Sequence, residues 1–182
     1  NMFFVAYSKR ADGPRDPNRP ITFVFNGGPG AASAYLHLGF AGPRIVDFGP
    51  SGSDGATAIL KDNPESWLRF TDLVFIDPVG TGWSRAAGNG SEFYGIGQDA
   101  DAIAKVIALY VQRTDRAGAA KYLLGESYGG FRAAKVASAL KERQGILISG
   151  IVMVSPLIEA ALIFGGADDP LGAALQLPSI AA

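Results

Sequence analysis

The sequence contains no cysteine and only one histidine, His37. The absence of cysteine excludes disulfide bonds, thiolate nucleophiles and cysteine-based metal sites, and it leaves the redox compartment open. A single histidine also excludes a histidine-rich metal centre. We therefore expect neither a bound metal nor another cofactor.

Strong charge of one sign and long apolar runs are missing too. The 16 basic and 17 acidic residues give a net charge of −1. They form no basic patch, so neither a nucleic acid nor an anionic membrane surface is expected as a partner. No apolar stretch reaches the ~18 residues that a membrane span needs. Residues 1–7 already have a strand pattern with no signal peptide before it, and residues 160–182 end without a polar tail. We expect both ends of the chain to be cut.

The composition that remains is typical of a folded domain. Hydrophobic residues make up 48% of the 182 residues, enough for one domain with a sizeable core. Apolar runs that predict buried strands alternate with helical patterns, which predicts an α/β fold: a mostly parallel sheet with helices on both faces. By contrast, residues 42–57 are predicted to be an exposed loop. The predicted strands are residues 3–7, 21–25, 73–76, 121–124 and 151–154, and the predicted helices are residues 31–40, 99–112 and 131–143.

The stretch Gly125-Glu126-Ser127-Tyr128-Gly129 places a serine between a predicted strand and a predicted helix. In that context Gly-x-Ser-x-Gly indicates a nucleophile elbow. The small residues permit a strained turn, which lifts the Ser127 hydroxyl above the sheet. The turn also places the Tyr128 N–H where it can donate to a developing oxyanion. The pattern alone could arise by chance in a chain with 24 glycines, and the flanking strand and helix are what favour the functional interpretation.

Two more Gly- and Pro-rich loops follow buried strands. Residues 26–30 have the sequence Asn-Gly-Gly-Pro-Gly, and residues 77–84 have the sequence Asp-Pro-Val-Gly-Thr-Gly-Trp-Ser. Glycines let the backbone approach a ligand closely and point N–H groups toward it. Because parallel sheets bind ligands beyond the carboxyl ends of their strands, we expect both loops and the elbow to converge on one site.

These three blocks, in this order, resemble the serine carboxypeptidase family, whose members have the α/β-hydrolase fold. Residues 150–156 are also similar to the family's strand after the elbow helix. The resemblance extends over nearly the whole chain, but the chain matches only part of the family. It implies a single, partial α/β-hydrolase domain over residues 1–182, which holds the N-terminal and central part with the elbow and is incomplete at both ends.

The resemblance implies catalytic roles at the elbow and at the first loop. Ser127 is expected to be the nucleophile of an acyl-enzyme mechanism. The backbone N–H groups of Gly28 and Tyr128 are expected to form the oxyanion hole. These roles agree with the strand–turn–helix interpretation of the elbow.

The resemblance also implies a site for the free α-carboxylate of a peptide, formed by Asn26, Gly27 and Glu126. One carboxylate can bind another only if one of the two holds a proton, which burial and a nearby negative charge both favour. The implied activity is therefore that of an exopeptidase that favours acidic pH. A structural role for Glu126, bracing the elbow, is the alternative.

The sequence departs from the family pattern at three places. Val24 stands where tryptophan is common, two residues before Asn26, and Phe40 stands where a second acid often pairs with the glutamate. Both changes weaken the expectation of strict carboxylate recognition. Ala31 and Ala32 replace a common cysteine, which suits a disulfide-free, bacterial relative.

The histidine and aspartate of a catalytic triad have no clear counterpart. An α/β-hydrolase triad runs Ser, Asp, His along the chain, yet no histidine follows Ser127. His37 precedes it, and a surface or core position is expected for this residue rather than a role as general base. Asp168 and Asp169 follow Ser127 too closely to be assigned as the acid. This chain alone therefore lacks the groups that would activate Ser127.

Three explanations of this gap are open: a fragment of a longer gene product, which we favour, one half of a cleaved two-chain enzyme, or a non-catalytic binding module. The intact elbow and Asn-Gly-Gly-Pro-Gly loop argue against the third. We expect a serine-type carboxypeptidase-like peptidase that is inactive, or nearly so, as this chain alone. An esterase or lipase is the alternative enzyme.

The expected partner is a peptide with a free C-terminus. An exposed sheet edge could also mediate association, or pair with a missing C-terminal part. The family resemblance further implies a secreted or periplasmic location.

Overall fold

The computed structural model of the chain describes residues 1–9, 16–49, 55–164 and 170–181. Asp168 and Asp169 lie outside the described residues, as do residues 50–54 of the predicted loop. The strands are β1 (Phe4–Tyr7), β2 (Ile21–Phe25), β3 (Arg44–Asp47), β4 (Ile59–Asp62), β5 (Asp72–Ile76), β6 (Lys121–Glu126) and β7 (Gly150–Val154). The helices are α1 (Ala34–Leu36), continued by a π-helical turn (His37–Ala41), α2 (Ile96–Arg113), α3 (Tyr128–Ala139), continued by a π-helical turn (Leu140–Gln144), α4 (Ala161–Phe164) and α5 (Pro170–Ile180).

The main sheet has the strand order β1-β5-β2-β6-β7. Strands β5, β2, β6 and β7 are parallel, and β1 joins β5 antiparallel. Every residue of β2 and of β5 is buried. A strand covered on both faces needs apolar side chains at successive positions, which explains why every residue of the two strands except Thr22 and Asp72 is apolar. The predicted mostly parallel α/β sheet is confirmed.

Helical segments cover both faces of this sheet. On one face, α2 packs against the sheet through Ile103, Ile107 and Val111, which recur at helical spacing. On the other face, the shorter segment after β2 contributes Leu36 and Ala41 to a second, smaller core. No helix within the described ranges is both long and apolar enough to cross a membrane.

Part of the predicted loop at residues 42–57 is a strand, so that prediction is wrong there. Strand β3 pairs antiparallel with β4, with Arg44 opposite Asp62 and Asp47 opposite Ile59. Two exposed ion pairs also join the strands, at 3.1 Å between Arg44 and Asp62 and at 2.6 Å between Lys61 and Asp47. A four-residue strand flanked by glycine and proline carries little local signal, because its pairing partner lies outside the segment.

Helix α3 begins at Tyr128, directly after Ser127, whereas the sequence predicted a helix from residue 131. Gly129 and Gly130 are poor helix formers and concealed this start. Tertiary packing overrides their propensity, since a Cβ at Gly129 would lie 2.6 Å from the Phe25 carbonyl oxygen. The elbow helix can therefore approach β2 only with glycine at this position.

Candidate active site

Ser127 occupies the sharp turn between β6 and α3, with φ 58° and ψ −126°. This conformation is strained for a residue other than glycine, and it persists only where the surroundings hold it. The Ser127 N–H donates to the Val154 carbonyl oxygen at 2.9 Å, and the Ser127 carbonyl oxygen accepts from the N–H groups of Gly130 at 2.9 Å and Leu157 at 3.0 Å. The predicted strand–turn–helix arrangement is confirmed.

The glycines of the Gly-x-Ser-x-Gly stretch have a steric explanation. A Cβ at Gly125 would collide with the Gly129 carbonyl oxygen. A side chain at Gly125 would therefore meet the first turn of the elbow helix, and one at Gly129 would lie 2.6 Å from the Phe25 carbonyl oxygen. This close approach is what distinguishes the stretch from a chance pattern in a glycine-rich chain.

The loop of residues 26–30 lies directly against the elbow. A Cβ at Gly27 would be 2.7 Å from both the Glu126 carbonyl oxygen and the Tyr128 nitrogen. Gly28 has φ +104°, which other residues rarely adopt. The Tyr128 N–H belongs to the first residue of α3, so it has no acceptor within the helix. The structure thus brings the two predicted oxyanion-hole residues onto adjoining segments.

Asn26 and Glu126 are in direct contact. The Asn26 Nδ2 donates to Glu126 Oε2 at 3.2 Å, and the Asn26 Oδ1 accepts from the Leu36 N–H at 3.0 Å. Asn26 is only 2% exposed, so its amide is fixed between the elbow and the short helix α1. Glu126 is partly exposed beside Ser127. The two side chains that the sequence predicted for carboxylate binding therefore form one unit.

Arg132 also belongs to the site, although its place in the sequence predicted no role beyond helix formation. Its Nε donates to Asp99 Oδ2 at 2.6 Å, and its Nη1 donates to the Asn26 carbonyl oxygen at 2.7 Å. The guanidinium carbon lies 4.9 Å from the centre of the Tyr128 ring. Burial raises the pKa of the Tyr128 phenol above its usual value, although Arg132 opposes this shift. The one available signal was an arginine at the i+4 position from Tyr128, on the same helix face.

Asp77 joins the two Gly-rich loops. Its Oδ1 accepts from the Ser33 N–H at 2.9 Å, and its Oδ2 accepts from the Trp83 N–H at 3.1 Å. Its carbonyl oxygen accepts from the Ser84 hydroxyl at 2.6 Å. A Cβ at Gly82 would collide with the Asp77 carboxylate, which accounts for that glycine. Asp77 therefore has a structural role. Its signal in the sequence was an aspartate placed directly after a predicted buried strand.

A cavity of about 370 Å³ opens between the two loops and the elbow helix. Residues from all three predicted blocks line it, so their predicted convergence is confirmed. Its lining residues are Pro29, Gly30, Pro78, Val79, Gly80, Thr81, Phe93, Tyr94, Asp99, Tyr128 and Arg132.

His37 packs against Tyr7 and Phe75. Its Nε2 shares a hydrogen bond of 2.7 Å with the Tyr7 hydroxyl, and its ring stacks on Phe75 with 4.5 Å between the ring centres. Burial lowers the pKa of His37, while Asp77 opposes this shift. Among the described residues, no group of three or more His, Asp or Glu side chains is arranged to hold a metal ion. The packing of His37 matches the predicted structural role.

A family model described as serine carboxypeptidase matches residues 1–162. The chain belongs to the serine carboxypeptidase family. This finding confirms the resemblance inferred from the three blocks, and it agrees with the α/β-hydrolase architecture of the sheet.

Individual relatives support the same family. The chain is 29% identical to serine carboxypeptidase-like 41 of Arabidopsis thaliana over 86% of its own length and 33% of the relative's. It is 32% identical to the pheromone-processing carboxypeptidase KEX1 of Yarrowia lipolytica, over 74% of the chain and 21% of the relative. Carboxypeptidase Y of Schizosaccharomyces pombe is 29% identical over 94% of the chain and 17% of the relative. These relatives come from a plant and two fungi, so they give no support to the expected bacterial origin.

Solved structures agree with the fold. The crystal structure of Kex1Δp, a prohormone-processing carboxypeptidase from Saccharomyces cerevisiae, matches with a TM-score of 0.64 and 25% identity over 88% of this chain. A proline iminopeptidase-related protein from Thermus thermophilus matches with a TM-score of 0.53 and 14% identity over 89% of this chain, which shows the fold alone. The chain spans about a third or less of the curated relatives named above, and 35% of the Kex1Δp chain.

Proposed function

We propose that this chain carries the nucleophile and the oxyanion hole of a serine carboxypeptidase-like peptidase, which releases C-terminal residues from peptides. The observation that carries the proposal is the close packing of residues 26–30 on the elbow, with Asn26 bonded to Glu126 beside Ser127. Family membership supports the reaction class.

The proposed chemistry proceeds through an acyl-enzyme. The Ser127 Oγ attacks the scissile carbonyl carbon and forms a C–O bond, while the Gly28 and Tyr128 N–H groups donate to the oxyanion. Collapse of this intermediate breaks the C–N bond, and the serine proton passes through a general base to the leaving amine. Water then hydrolyses the acyl ester and restores the Ser127 hydroxyl.

We further propose that Asn26, Gly27 and Glu126 hold the α-carboxylate of the residue that is released. The Asn26 amide orients the Glu126 carboxyl, leaving its other oxygen for a proton shared with the substrate. Because Asn26 is buried, its amide is held in place beside Glu126. A peptide amide carries no carboxylate to share the proton, so we expect the Asn26–Glu126 pair to discriminate against it.

We propose that the general base and its partner acid come from polypeptide outside this chain. The only histidine is His37, and it is bonded to Tyr7 and stacked on Phe75. We therefore expect this chain alone to react poorly at Ser127, since loss of triad members costs several orders of magnitude in rate. The proposal treats residues 1–182 as one partial domain of the enzyme.

The proposed partners include polypeptide at the edge of the main sheet. Among the described residues β7 pairs only with β6, and Val152 and Met153 are 38% and 37% exposed. Such an edge can accept a further strand from a missing part of the protein or from another copy. Light scattering of the isolated chain, with Val152→Lys as the variant, tests this association.

A secreted or periplasmic location also remains a proposal, which cell fractionation tests.

The test of the function is the intact mass of the purified protein with and without a fluorophosphonate probe. We expect a polypeptide mass above the 19.0 kDa of this chain, one adduct mapped to Ser127, and none in Ser127→Ala. Before labelling, the protein should release residues from a peptide acid but not from the matching amide, and labelling should abolish this release. Equal cleavage of esters that lack a carboxylate would favour an esterase. A mass of 19.0 kDa without an adduct would favour a binding module.

A further inference from the structure

Arg132 is one of the most deeply buried charged residues, at 4% exposure, and it contacts three separate segments. It donates to Asp99 in the first turn of α2 and to the Asn26 carbonyl oxygen in the first loop, and it lies over the Tyr128 ring. None of these contacts follows from the three sequence blocks.

The two proposed oxyanion donors come from different parts of the chain. Gly28 follows β2, whereas Tyr128 follows β6, so their N–H groups converge only if the two segments keep a fixed spacing. We infer that Arg132 is a positioning residue that sets this spacing by tying the Asn26 carbonyl oxygen to the helix that begins at Tyr128. The inference rests on the proposed function, and it assigns Arg132 no contact with the substrate.

The geometry explains how Arg132 could affect the reaction without a contact to the substrate. The Asn26 carbonyl belongs to the peptide group that links Asn26 to Gly27, so a bond of 2.7 Å from Arg132 fixes the orientation of that group. Gly27 in turn lies against the Tyr128 nitrogen, where a Cβ would be at 2.7 Å. Rotation of the Asn26–Gly27 peptide would therefore displace the Gly28 N–H relative to the Tyr128 N–H.

An arginine is required for this arrangement because it donates hydrogen bonds to two acceptors at once. Its planar guanidinium donates from Nε to Asp99 and from Nη1 to Asn26 in fixed directions, whereas a lysine ammonium is a single point charge. Asp99 neutralises the buried charge, and its own side chain is 15% exposed. The pair thus orients the donor without leaving an unpaired charge in the core.

A second ion pair provides a matched control. Arg143 and Asp101 also join the segment of α3 to α2, but their side chains are 61% and 30% exposed. If Arg132 only fastened the two helices together, then Arg143→Met and Arg132→Met would differ in stability alone. A positioning role predicts a difference in transition-state stabilisation as well.

The experiment compares Arg132→Met, Arg132→Lys, Asp99→Asn and Arg143→Met in the protein that carries this chain. For Arg132→Met we expect kcat to fall about 10- to 100-fold with KM nearly unchanged, as for a displaced oxyanion donor. Its affinity for a peptide boronic acid should fall by the same factor, because the boronate imitates the oxyanion. Arg132→Lys should recover part of the loss, Asp99→Asn should give an intermediate loss, and Arg143→Met should leave kcat unchanged.

Several outcomes would overturn the inference: a rise in KM alone, a boronic acid affinity that does not change, or equal effects of Arg132→Met and Arg143→Met. If Arg132→Met does not fold, Arg132→Lys and Asp99→Asn carry the same comparison. If the unaltered protein does not label at Ser127, the proposed function fails, and amide hydrogen exchange then decides the positioning role. The amides to follow are those of Ala31 and Leu36, which donate to the Gly27 carbonyl oxygen and to the Asn26 Oδ1. Faster exchange at these two amides in Arg132→Lys, but not in Arg143→Met, supports the positioning role, and unchanged exchange refutes it.

Discussion

The Asn26 side-chain amide donates to Glu126 Oε2 at 3.2 Å, although the two residues are 100 positions apart in sequence. The contact joins the loop after β2 to the residue before the nucleophile. It gives the proposed carboxylate site one polar donor and one ionisable acid, held in fixed relation by the burial of Asn26.

Replacing Glu126 by Gln tests whether that acid shares a proton with the substrate. Glutamine keeps the contact with Asn26 but cannot ionise. We expect kcat/KM to fall about tenfold at acidic pH, where the native carboxyl donates a charge-assisted hydrogen bond, and the difference to shrink as pH rises. The measurement is the pH profile of kcat/KM for one peptide acid, with the exposed Glu142→Gln as control. A profile that keeps its native shape in Glu126→Gln would exclude proton sharing.

Gly27→Ala tests whether the first loop must touch the elbow. The new methyl group would lie 2.7 Å from the Glu126 carbonyl oxygen and the Tyr128 nitrogen, and neither backbone atom can move without disturbing the turn at Ser127. We expect fluorophosphonate labelling of Ser127 to slow by about 100-fold, the loss typical of a displacement of ~1 Å.

The matched control for this variant is Gly97→Ala in helix α2. A Cβ at Gly97 meets no atom within 4 Å, and alanine is favoured over glycine in a helix by about 1 kcal/mol. Labelling should therefore stay at the native rate and stability should rise slightly. Equal labelling rates in the two variants would contradict the close packing at Gly27.

Much of this site could be predicted from sequence because its signals are local. The elbow has a strand before it and a helix after it, and the glycines of residues 26–30 stand directly after a buried strand. Because ligands bind at the carboxyl ends of parallel strands, these segments could then be predicted to meet at one site. The roles of Asn26 and Glu126 as a pair required the family resemblance, because nothing local links two residues 100 positions apart.

The features that the sequence did not reveal are non-local. Strand β3 depends on β4 for every ladder hydrogen bond, so its four residues resemble a loop when considered alone. Arg132 has the local pattern of any helix arginine, and only its contacts with Asp99 and Asn26 distinguish it. Whether a charged side chain is buried depends on the tertiary structure, and it cannot be deduced from the amino-acid composition.

A second buried ionic cluster lies at the opposite ends of the strands from Ser127. The Asp72 carboxylate is 1% exposed and accepts from Arg19 at 2.9 Å and from Arg116 at 2.8 Å, and Arg116 is itself 1% exposed. Asp72→Asn would leave two cations without this countercharge. We expect a loss of about 3–5 kcal/mol in the free energy of unfolding, as for other broken buried pairs.

Urea unfolding measures this loss, with Asp62→Asn as the control. The Asp62 side chain is 93% exposed and pairs with Arg44 on the surface, where such pairs contribute little. Its unfolding midpoint should stay at the native value. Equal shifts of the midpoint in the two variants would show that the Asp72 cluster contributes no more than a surface pair.

Protonation of His37 makes the stability of the folded protein depend on pH, and the groups around the ring determine the direction of this dependence. The groups that face it are the Tyr7 hydroxyl, the Phe75 ring and the Asp77 carboxylate. Burial is the largest cause and lowers the pKa of His37, so the folded protein favours the neutral imidazole. The lowered pKa of His37 therefore stabilises the folded protein. This stabilisation is fully present above the ordinary histidine pKa of about 6.5, and it is lost as pH falls through the pKa that His37 has in the folded protein.

His37→Gln removes the titrating ring and tests this linkage. At pH 8 the variant should have a lower Tm than the native protein, because it loses the stacking on Phe75 and the hydrogen bond to Tyr7. As pH falls below about 6.5, protonation of His37 should weaken only the native protein, so the two Tm values should converge. Thermal unfolding at pH 8, 6 and 5 provides the comparison, since protonation of carboxylates affects both proteins alike. A Tm difference that stays constant or widens toward acid would show that the folded protein accommodates the charged imidazole.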